Sequence, residues 1–252
     1  MTSLPLRIAI LECDTPMDSV RERAGGYGSI FSRLLRAGAD SLKYPGLSST
    51  EGMQLSSFDV VTKQEYPKLE DVDGILISGS KHNSFDNDPW ILKLVEFTKE
   101  VLGQERVRVV GVCFGHQIVG RAMRAKVVRS EKGWEISVMA IDLTKKGQEI
   151  FGQPSLALHQ MHRDIIYECP PEVERLAYTD KCAVHGMYVP RRLITVQGHP
   201  EFTGDIMKDI LVARHKQGLF DDALFEDALG RFDEDHDGVV TATAFLKFLL
   251  EE

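Results

Sequence analysis

The chain has 252 residues, of which 43% are hydrophobic and 27% charged; this is the composition of a soluble globular protein, long enough to bury a sizeable core. The formal net charge of −8 argues against nucleic acid or an anionic membrane as a partner, because phosphate binding needs clustered Lys and Arg. Four scattered cysteines argue against a disulfide framework, and the N-terminus has no secretory pattern. We therefore expect a cytoplasmic protein with free thiols.

Strand and helix patterns alternate through the first half of the chain. Apolar runs predict buried strands, and Asp88-Pro89 is typical of a helix start, with Asp as the N-cap and Pro in the first position. The predicted strands cover residues 7–11, 58–61, 73–78 and 107–112. The predicted helices include residues 30–35, a helix that starts at Pro89 and residues 116–123. This alternation predicts a parallel sheet with helices on both faces.

The second half of the chain is less regular. Residues 127–143 have the pattern of shorter, partly antiparallel strands, and residues 193–197 form another apolar strand. Helical patterns cover residues 203–216 and 223–231, and an apolar helix ends the chain. Because no repeat or linker interrupts these segments, we predict one domain over residues 1–220 with a helical appendage, residues 221–252, packed on it.

The segment Gly111-Val-Cys113-Phe-Gly115 lies between a predicted strand and a predicted helix. Glycines permit a tight turn, and this turn would hold Cys113 at the carboxyl edge of the sheet, where open α/β folds bind ligands. The following helix N-terminus favours the nucleophilic thiolate, and the N–H of Phe114 would face a developing oxyanion. The alternative interpretation is a small core residue, since free cysteine is often buried.

A second polar segment, Gln197-Gly-His199-Pro-Glu201, also follows a predicted strand. His199 is suited to act as general base towards the thiol, and Glu201 is suited to orient the imidazole. An isolated histidine after a strand is more often structural. A cysteine turn and a His-x-Glu sequence at two strand ends form a much more specific pattern, so we predict a catalytic triad of Cys113, His199 and Glu201.

The sequences Gly-Val-Cys-Phe-Gly-His-Gln and Gln-Gly-His-Pro-Glu resemble the two signature motifs of class I glutamine amidotransferases. The resemblance covers residues 6–216 and is greatest to free-standing members similar to the amidotransferase domain of GMP synthase. These include uncharacterised fungal proteins and plant γ-glutamyl peptidases. The resemblance implies an α/β, flavodoxin-like sheet with a mixed edge, and the roles of nucleophile, base and orienting carboxylate for Cys113, His199 and Glu201.

The resemblance also implies which residues surround the substrate. Gln117 corresponds to a family residue that helps to hold the glutamine side of the substrate. Ile77-Ser-Gly-Ser80 matches the family's oxyanion loop, so Gly79 and Ser80 would offer backbone N–H groups to the substrate. Many members have two glycines in this loop, and an ordinary turn after the strand is the alternative interpretation.

Three features raise the question of a metal site. Residues 159–164 resemble a family loop near the bound glutamine, and we assign His162 to the wall of the site rather than to a metal. Cys182-x-x-His185 belongs to no closed four-ligand set with zinc spacing. Residues 233–238 look like the first half of an EF-hand loop, but Ala244 stands where a bidentate Glu is needed. We predict no metal, and an acidic turn before a capped helix.

Together these residues predict a cysteine-dependent hydrolase of γ-glutamyl amide bonds that acts through a γ-glutamyl thioester on Cys113 and needs no cofactor. The preferred substrate is a γ-glutamyl peptide or conjugate, because nothing in the sequence resembles an acceptor domain. Two alternatives stay open: a glutaminase subunit that supplies ammonia to a separate synthase, and a catalytically silent binding module. Silent modules commonly lack a triad residue, and here all three are present.

Overall fold

The computed structural model describes residues 4–251, so residues 1–3 and 252 of the two predicted units lie outside it. Within this range the strands are β1 (Leu6–Glu12), β2 (Met53–Asp59), β3 (Gly74–Ile77), β4 (Arg108–Val112), β5 (Val127–Arg129), β6 (Glu135–Leu143), β7 (Ser155–His162), β8 (Asp164–Ile166), β9 (Glu174–Tyr178), β10 (Gly186–Val189) and β11 (Leu193–Val196). The α-helices of the same range are α1 (Asp18–Ala24), α2 (Tyr27–Leu42), α3 (Pro89–Leu102), α4 (Phe114–Ala122), α5 (Lys145–Phe151), α6 (Gly204–Lys216), α7 (Asp222–Leu229) and α8 (Gly238–Leu250). None of these helices combines the length and the apolar character that a membrane span requires.

The large sheet has a parallel half and an antiparallel half. Among the described strands its order is β2-β1-β3-β4-β11-β10-β9-β6-β7. The strands from β2 to β11 in this order are parallel, and those from β11 to β7 pair antiparallel. Strands β5 and β8 form a separate antiparallel pair. The predicted α/β fold, a flavodoxin-like parallel sheet with a mixed edge, is confirmed.

Both faces of the parallel half are covered by helices, as the sequence predicts. Successive side chains of a strand point to opposite faces. Accordingly, Leu6, Ile8 and Ile10 of β1 pack into the apolar cluster that contains α2 and α8, whereas Ala9 and Leu11 pack into the cluster that contains α3 and α4. This two-sided burial explains why residues 8–11 of β1 form an unbroken apolar run in the sequence.

Among the local differences between the structure and the sequence prediction, three concern the first half of the chain. The second strand covers Met53–Asp59 rather than residues 58–61; it lies at the sheet edge, where exposed polar positions weaken the apolar signal. Helix α1 was not predicted, because Val20 is its one buried residue. Asp88 occupies the N-cap position of α3, but its side chain makes no capping hydrogen bond.

The C-terminal segment completes one apolar face of the sheet. Helix α8 places Phe245 and Phe248 in the same cluster as β1 and α2. In the acidic turn before it, the carboxylate of Asp237 accepts a hydrogen bond from the backbone N–H of Ala157 at 2.7 Å, which joins the start of α8 to β7. Ala244, at the position of the missing calcium ligand, is buried. We therefore propose that this segment packs as part of the same domain.

Candidate active site

Cys113 occupies a strained turn between β4 and α4. Its backbone has a φ of 51° and a ψ of −103°, and such a conformation is costly for a residue with a side chain. The turn is held by a hydrogen bond from the N–H of Gly115 to the carbonyl of Ser78, 3.2 Å long. A Cβ atom at Gly115 would lie 2.2 Å from the carbonyl oxygen of Ile77. Glycine is therefore required here for the helix to pack against β3.

The second polar segment lies beside this turn because β11 pairs in parallel with β4. After β11, the N–H of His199 donates to the carbonyl of His159 at 2.8 Å. The imidazole Nδ1 lies 2.7 Å from Oε1 of Glu201, and the ring stacks on Phe202 with a centroid distance of 4.0 Å. His199 and Glu201 are both buried, so their contact is shielded from water.

Gly79 brings the cysteine and the histidine close together. A Cβ atom at this position would lie 2.6 Å from Cε1 of His199 and 3.7 Å from Cβ of Cys113, so a larger residue would displace the imidazole. Burial opposes a positive charge on His199, but the neighbouring Cys113 and Glu201 outweigh it and raise the pKa of the imidazole to about 10. The arrangement favours an imidazolium beside the sulfur.

The backbone N–H groups predicted to bind an oxyanion are available. Among the hydrogen bonds of residues 4–251, none uses the N–H of Gly79, Ser80 or Phe114 as a donor to the protein. Ser80 and Phe114 line a cavity of about 140 Å³ together with Cys113. Preorganised donors of this kind can stabilise charge that develops on a substrate oxygen.

Gln117 and His162 line the same small cavity. The Gln117 amide is held by the protein: it donates to the carbonyl of Asp164 at 2.8 Å and accepts from the hydroxyl of Ser84 at 2.9 Å. His162 ends strand β7 rather than lying in a loop, and its Nε2 is 3.1 Å from Oε2 of Glu135. Both residues therefore have fixed positions in the wall of the cavity.

Behind the cavity lies a buried group of side chains with metal-binding chemistry. In the described part of the chain, Glu135, Cys182 and His185 bring their ligand atoms within 4.8 Å of one another. Nε2 of His185 lies 2.9 Å from Oε2 of Glu135, and the Thr179 hydroxyl donates to Oε1 at 2.7 Å. Burial would raise the pKa of Glu135, but His162 and His185 outweigh it and hold that pKa well below its usual value. These hydrogen bonds explain why the Glu135 carboxylate can be buried with a negative charge.

A second, larger cavity of about 730 Å³ adjoins the site and is lined by His199. Arg214 of α6 lines both cavities, and its guanidinium carbon lies 5.7 Å from the ring centroid of Trp134. Sequence reasoning missed this arginine. A basic residue in the last turn of a helix is common, because it interacts favourably with the helix dipole, so its position along the chain carries no functional signal.

Comparisons with known proteins agree with this geometry. The sequence profile of the family glutamine amidotransferase class-I matches residues 47–215. A glutamine amidotransferase-like protein of Schizosaccharomyces pombe is 34% identical over 247 residues, or 97% of this chain and 98% of that protein. Gamma-glutamyl peptidase 2 of Arabidopsis thaliana is 32% identical, over 91% of this chain and 90% of that protein. The fold is similar to that of a glutamine amidotransferase from Thermotoga maritima, with a TM-score of 0.75 at 15% identity, over 99% of this chain and 100% of that chain.

Proposed function

Because the chain belongs to the class I glutamine amidotransferase family, we propose that it hydrolyses γ-glutamyl amide bonds through a thioester on Cys113. One observation carries the proposal. Cys113, in a strained turn with a φ of 51°, adjoins a histidine whose Nδ1 lies 2.7 Å from the carboxylate of Glu201. A thiol, a base and a group that orients the base are what nucleophilic catalysis by cysteine requires.

The first half of the reaction forms the thioester. His199 accepts the proton of the Cys113 thiol, and the sulfur forms a bond to the γ-carbonyl carbon of the substrate. The N–H groups of Gly79, Ser80 and Phe114 stabilise the negative oxygen of the tetrahedral intermediate. When the C–N bond breaks, the imidazolium returns its proton to the leaving nitrogen, and the amine departs.

The second half releases glutamate. His199 accepts a proton from water, the resulting hydroxide attacks the thioester carbon, and the same N–H groups hold the oxyanion again. The C–S bond then breaks and regenerates the thiolate of Cys113. Every proton and electron pair moves between the substrate, water and these side chains, so the reaction needs no cofactor.

The substrate we favour is a γ-glutamyl peptide or conjugate. A relative that is 32% identical over 91% of this chain bears the name gamma-glutamyl peptidase, and the cavity beside His199 has room for an amine much larger than ammonia. The alternative is a glutaminase subunit, for which ammonia would pass to a separate synthase. The two differ in kcat/KM, which measures differential transition-state binding.

The test combines labelling with kinetics on the purified chain. An electrophilic glutamine analogue should modify Cys113 alone, because burial raises the pKa of Cys13 to about 12 and also raises the pKa of the Cys169 and Cys182 thiols. The variant Cys113→Ala should lose all turnover, whereas Cys169→Ala should keep it. Mass spectrometry of peptides and a glutamate-release assay provide the measurements.

The same assay decides between the two substrates. We expect a higher kcat/KM for at least one γ-glutamyl peptide than for glutamine. Labelling of another cysteine with Cys113 untouched would overturn the mechanism. Turnover of glutamine only with a co-purifying partner, with γ-glutamyl peptides inert, would establish the glutaminase instead. A chain that is labelled at Cys113 but turns over neither substrate would be the silent binding module.

A further inference from the structure

Cys113 and His199 line different cavities of the candidate active site. Cys113 lines the smaller one, of about 140 Å³, and His199 lines the larger one, of about 730 Å³. Ser80 and Arg214 are among the residues that line both. The cavities therefore meet at the point where a substrate bond would lie between the thiol and the imidazole.

The chemistry of the two residues assigns a part of the substrate to each cavity. The sulfur of Cys113 binds the acyl carbon, so the γ-glutamyl half belongs in the cavity that Cys113 lines. The imidazole of His199 gives its proton to the leaving nitrogen, so the leaving amine belongs on the side that His199 lines. The larger volume is thus on the amine side of the bond.

Two cations, Lys81 and Arg214, line both cavities, and among the described residues only Lys81 makes a direct contact with a carboxylate; Asp14 acts on the charge of Arg214 from a greater distance. Lys81 pairs with Asp14 at 3.0 Å. Across residues 4–251, by contrast, the Arg214 guanidinium has neither a salt-bridge partner nor a hydrogen-bond acceptor, and it packs near the Trp134 ring at 5.7 Å. Burial disfavours its charge and lowers the pKa of Arg214. A guanidinium in this state is a ready bidentate partner for a carboxylate.

The wall of the larger cavity is partly apolar and partly polar, and Asp14 and Asp18 are among its polar residues. Its apolar side chains come from α1, α2, β7 and α6, and they include Val20, Ile30, Met161, Ile206 and Ile210. A volume of about 730 Å³ lies within the range of roughly 300–1,000 Å³ found for small-molecule sites. Ammonia, with one heavy atom, would leave this volume unused, whereas a bulky apolar side chain would fill part of it.

We propose that the larger cavity is the subsite for the leaving amine, and that it accepts an α-amino acid with a large apolar side chain whose carboxylate pairs with Arg214. In a γ-glutamyl dipeptide this carboxylate is two bonds from the scissile nitrogen, so it must lie at the junction of the cavities, as Arg214 does. This inference rests on the proposed function and specifies its substrate class: γ-glutamyl dipeptides with a bulky apolar second residue.

The kinetic test uses three substrates and the full chain. γ-Glutamylleucine has both the side chain and the carboxylate, γ-glutamylleucinamide lacks the negative charge, and γ-glutamylglycine lacks the side chain. The variant Arg214→Met should lower kcat/KM for γ-glutamylleucine by about ten- to hundred-fold, the range for a lost charged hydrogen bond, and should lower it much less for the amide, which carries no negative charge. Lys216→Met is the control, because Lys216 is exposed on the same helix. This change should leave kcat/KM the same for all three substrates.

A second variant tests the apolar residues that line the larger cavity. Ile210→Trp should fill the cavity and lower kcat/KM for γ-glutamylleucine while sparing γ-glutamylglycine. Equal losses on all substrates in Arg214→Met would mean that Arg214 serves the γ-glutamyl half or the fold, and would overturn the proposal. Equal losses in Ile210→Trp, or a wild-type chain that treats leucine and glycine alike, would overturn it as well.

A binding experiment separates this proposal from the hydrolase itself. Calorimetry with Cys113→Ala, which cannot turn substrate over, should show binding of γ-glutamylleucine that the added Arg214→Met change weakens at least ten-fold. If the wild-type chain proves inactive but this binding is found, the subsite stands and the hydrolase proposal fails. If the chain hydrolyses γ-glutamyl peptides but the Arg214 change leaves binding intact, the hydrolase stands and the subsite fails.

Discussion

His199 is held between a thiol and a carboxylate, and only 6% of its side chain is exposed. The contact of its Nδ1 with Glu201 is 2.7 Å, and the pKa of the imidazole is raised from 6.5 to about 10, against the opposing effect of burial, by Cys113 and Glu201. A raised pKa means that the proton stays on the ring as the pH rises past 6.5. In the proposed mechanism, the acid that protonates the leaving amine is therefore present throughout the neutral range.

The charge of Glu201 can be tested through the pH profile. Glu201→Gln keeps an oxygen near Nδ1 but removes the negative charge, so the imidazolium should lose its proton at lower pH. We expect the alkaline limb of the kcat profile to move down by about one pH unit or more, while kcat at its optimum falls less than the orders of magnitude expected for His199→Ala. Rates of γ-glutamyl peptide hydrolysis between pH 6 and 10 provide the measurement.

The control for this change is Glu96→Gln. Glu96 lies on α3 with 70% of its side chain exposed. Removing its charge should therefore not shift the pH dependence of kcat. An alkaline limb that stays in place in Glu201→Gln would show that Glu201 does not set the charge state of His199.

Helices α2 and α8 pack so closely that their backbones are nearly in contact at Gly38. A Cβ atom at Gly38 would lie 2.7 Å from Cβ of Ala242 and 3.0 Å from its carbonyl carbon. Close packing of this kind depends on the absence of a side chain, because backbone atoms of α8 cannot rotate away. The two helices together cover one face of β1, so their separation would loosen that apolar cluster.

We expect Gly38→Leu to lower the free energy of unfolding by about 1–3 kcal/mol, because a side chain forced into a packed interface shifts its neighbours. Ala37→Leu is the matched control: Ala37 precedes Gly38 in α2 and is exposed, so its change should stay within about 0.5 kcal/mol. Urea unfolding followed by circular dichroism measures both. Equal stabilities of the two variants would contradict the packing argument.

For the whole molecule, the C-terminal segment is joined to the sheet at several places. Phe245 and Phe248 of α8 pack with β1 and α2. The carbonyl of Ala228 in α7 accepts a hydrogen bond from the hydroxyl of Ser137 in β6 at 2.7 Å. The guanidinium of Arg108 donates to the carbonyl of Phe248 at 2.6 Å. A segment with this much buried apolar surface contributes directly to folding stability.

We therefore expect the full chain to unfold in one cooperative transition, and a chain cut after residue 220 to lose its stable fold, because the cut exposes the apolar face that α8 covers. Coincident urea transitions by tryptophan fluorescence and circular dichroism would support a single unit. A truncated chain with the Tm of the full chain, or a separate early transition, would show that the C-terminal helices are an independent appendage.

The parts of this protein that the sequence predicts are those that depend on neighbours along the chain. The runs at β1, β3 and β4 are apolar because both faces of these strands are buried. Cys113 and His199 follow two such strands, and the carboxyl ends of parallel strands meet at one edge of a sheet. The fold class and the proposed triad could therefore be inferred before any contact was known.

The tertiary structure alone decided the rest. The edge strand β2 and helix α1 bury too few side chains to show a clear periodic pattern, and the order of the antiparallel strands depends on packing between distant segments. Arg214 lines both cavities because α6 folds back beside Trp134, and the larger cavity exists because α1, α2 and α6 meet around His199. Local periodicity reports how each segment is buried, but a cavity is a space between segments, and its shape is set only when they pack together.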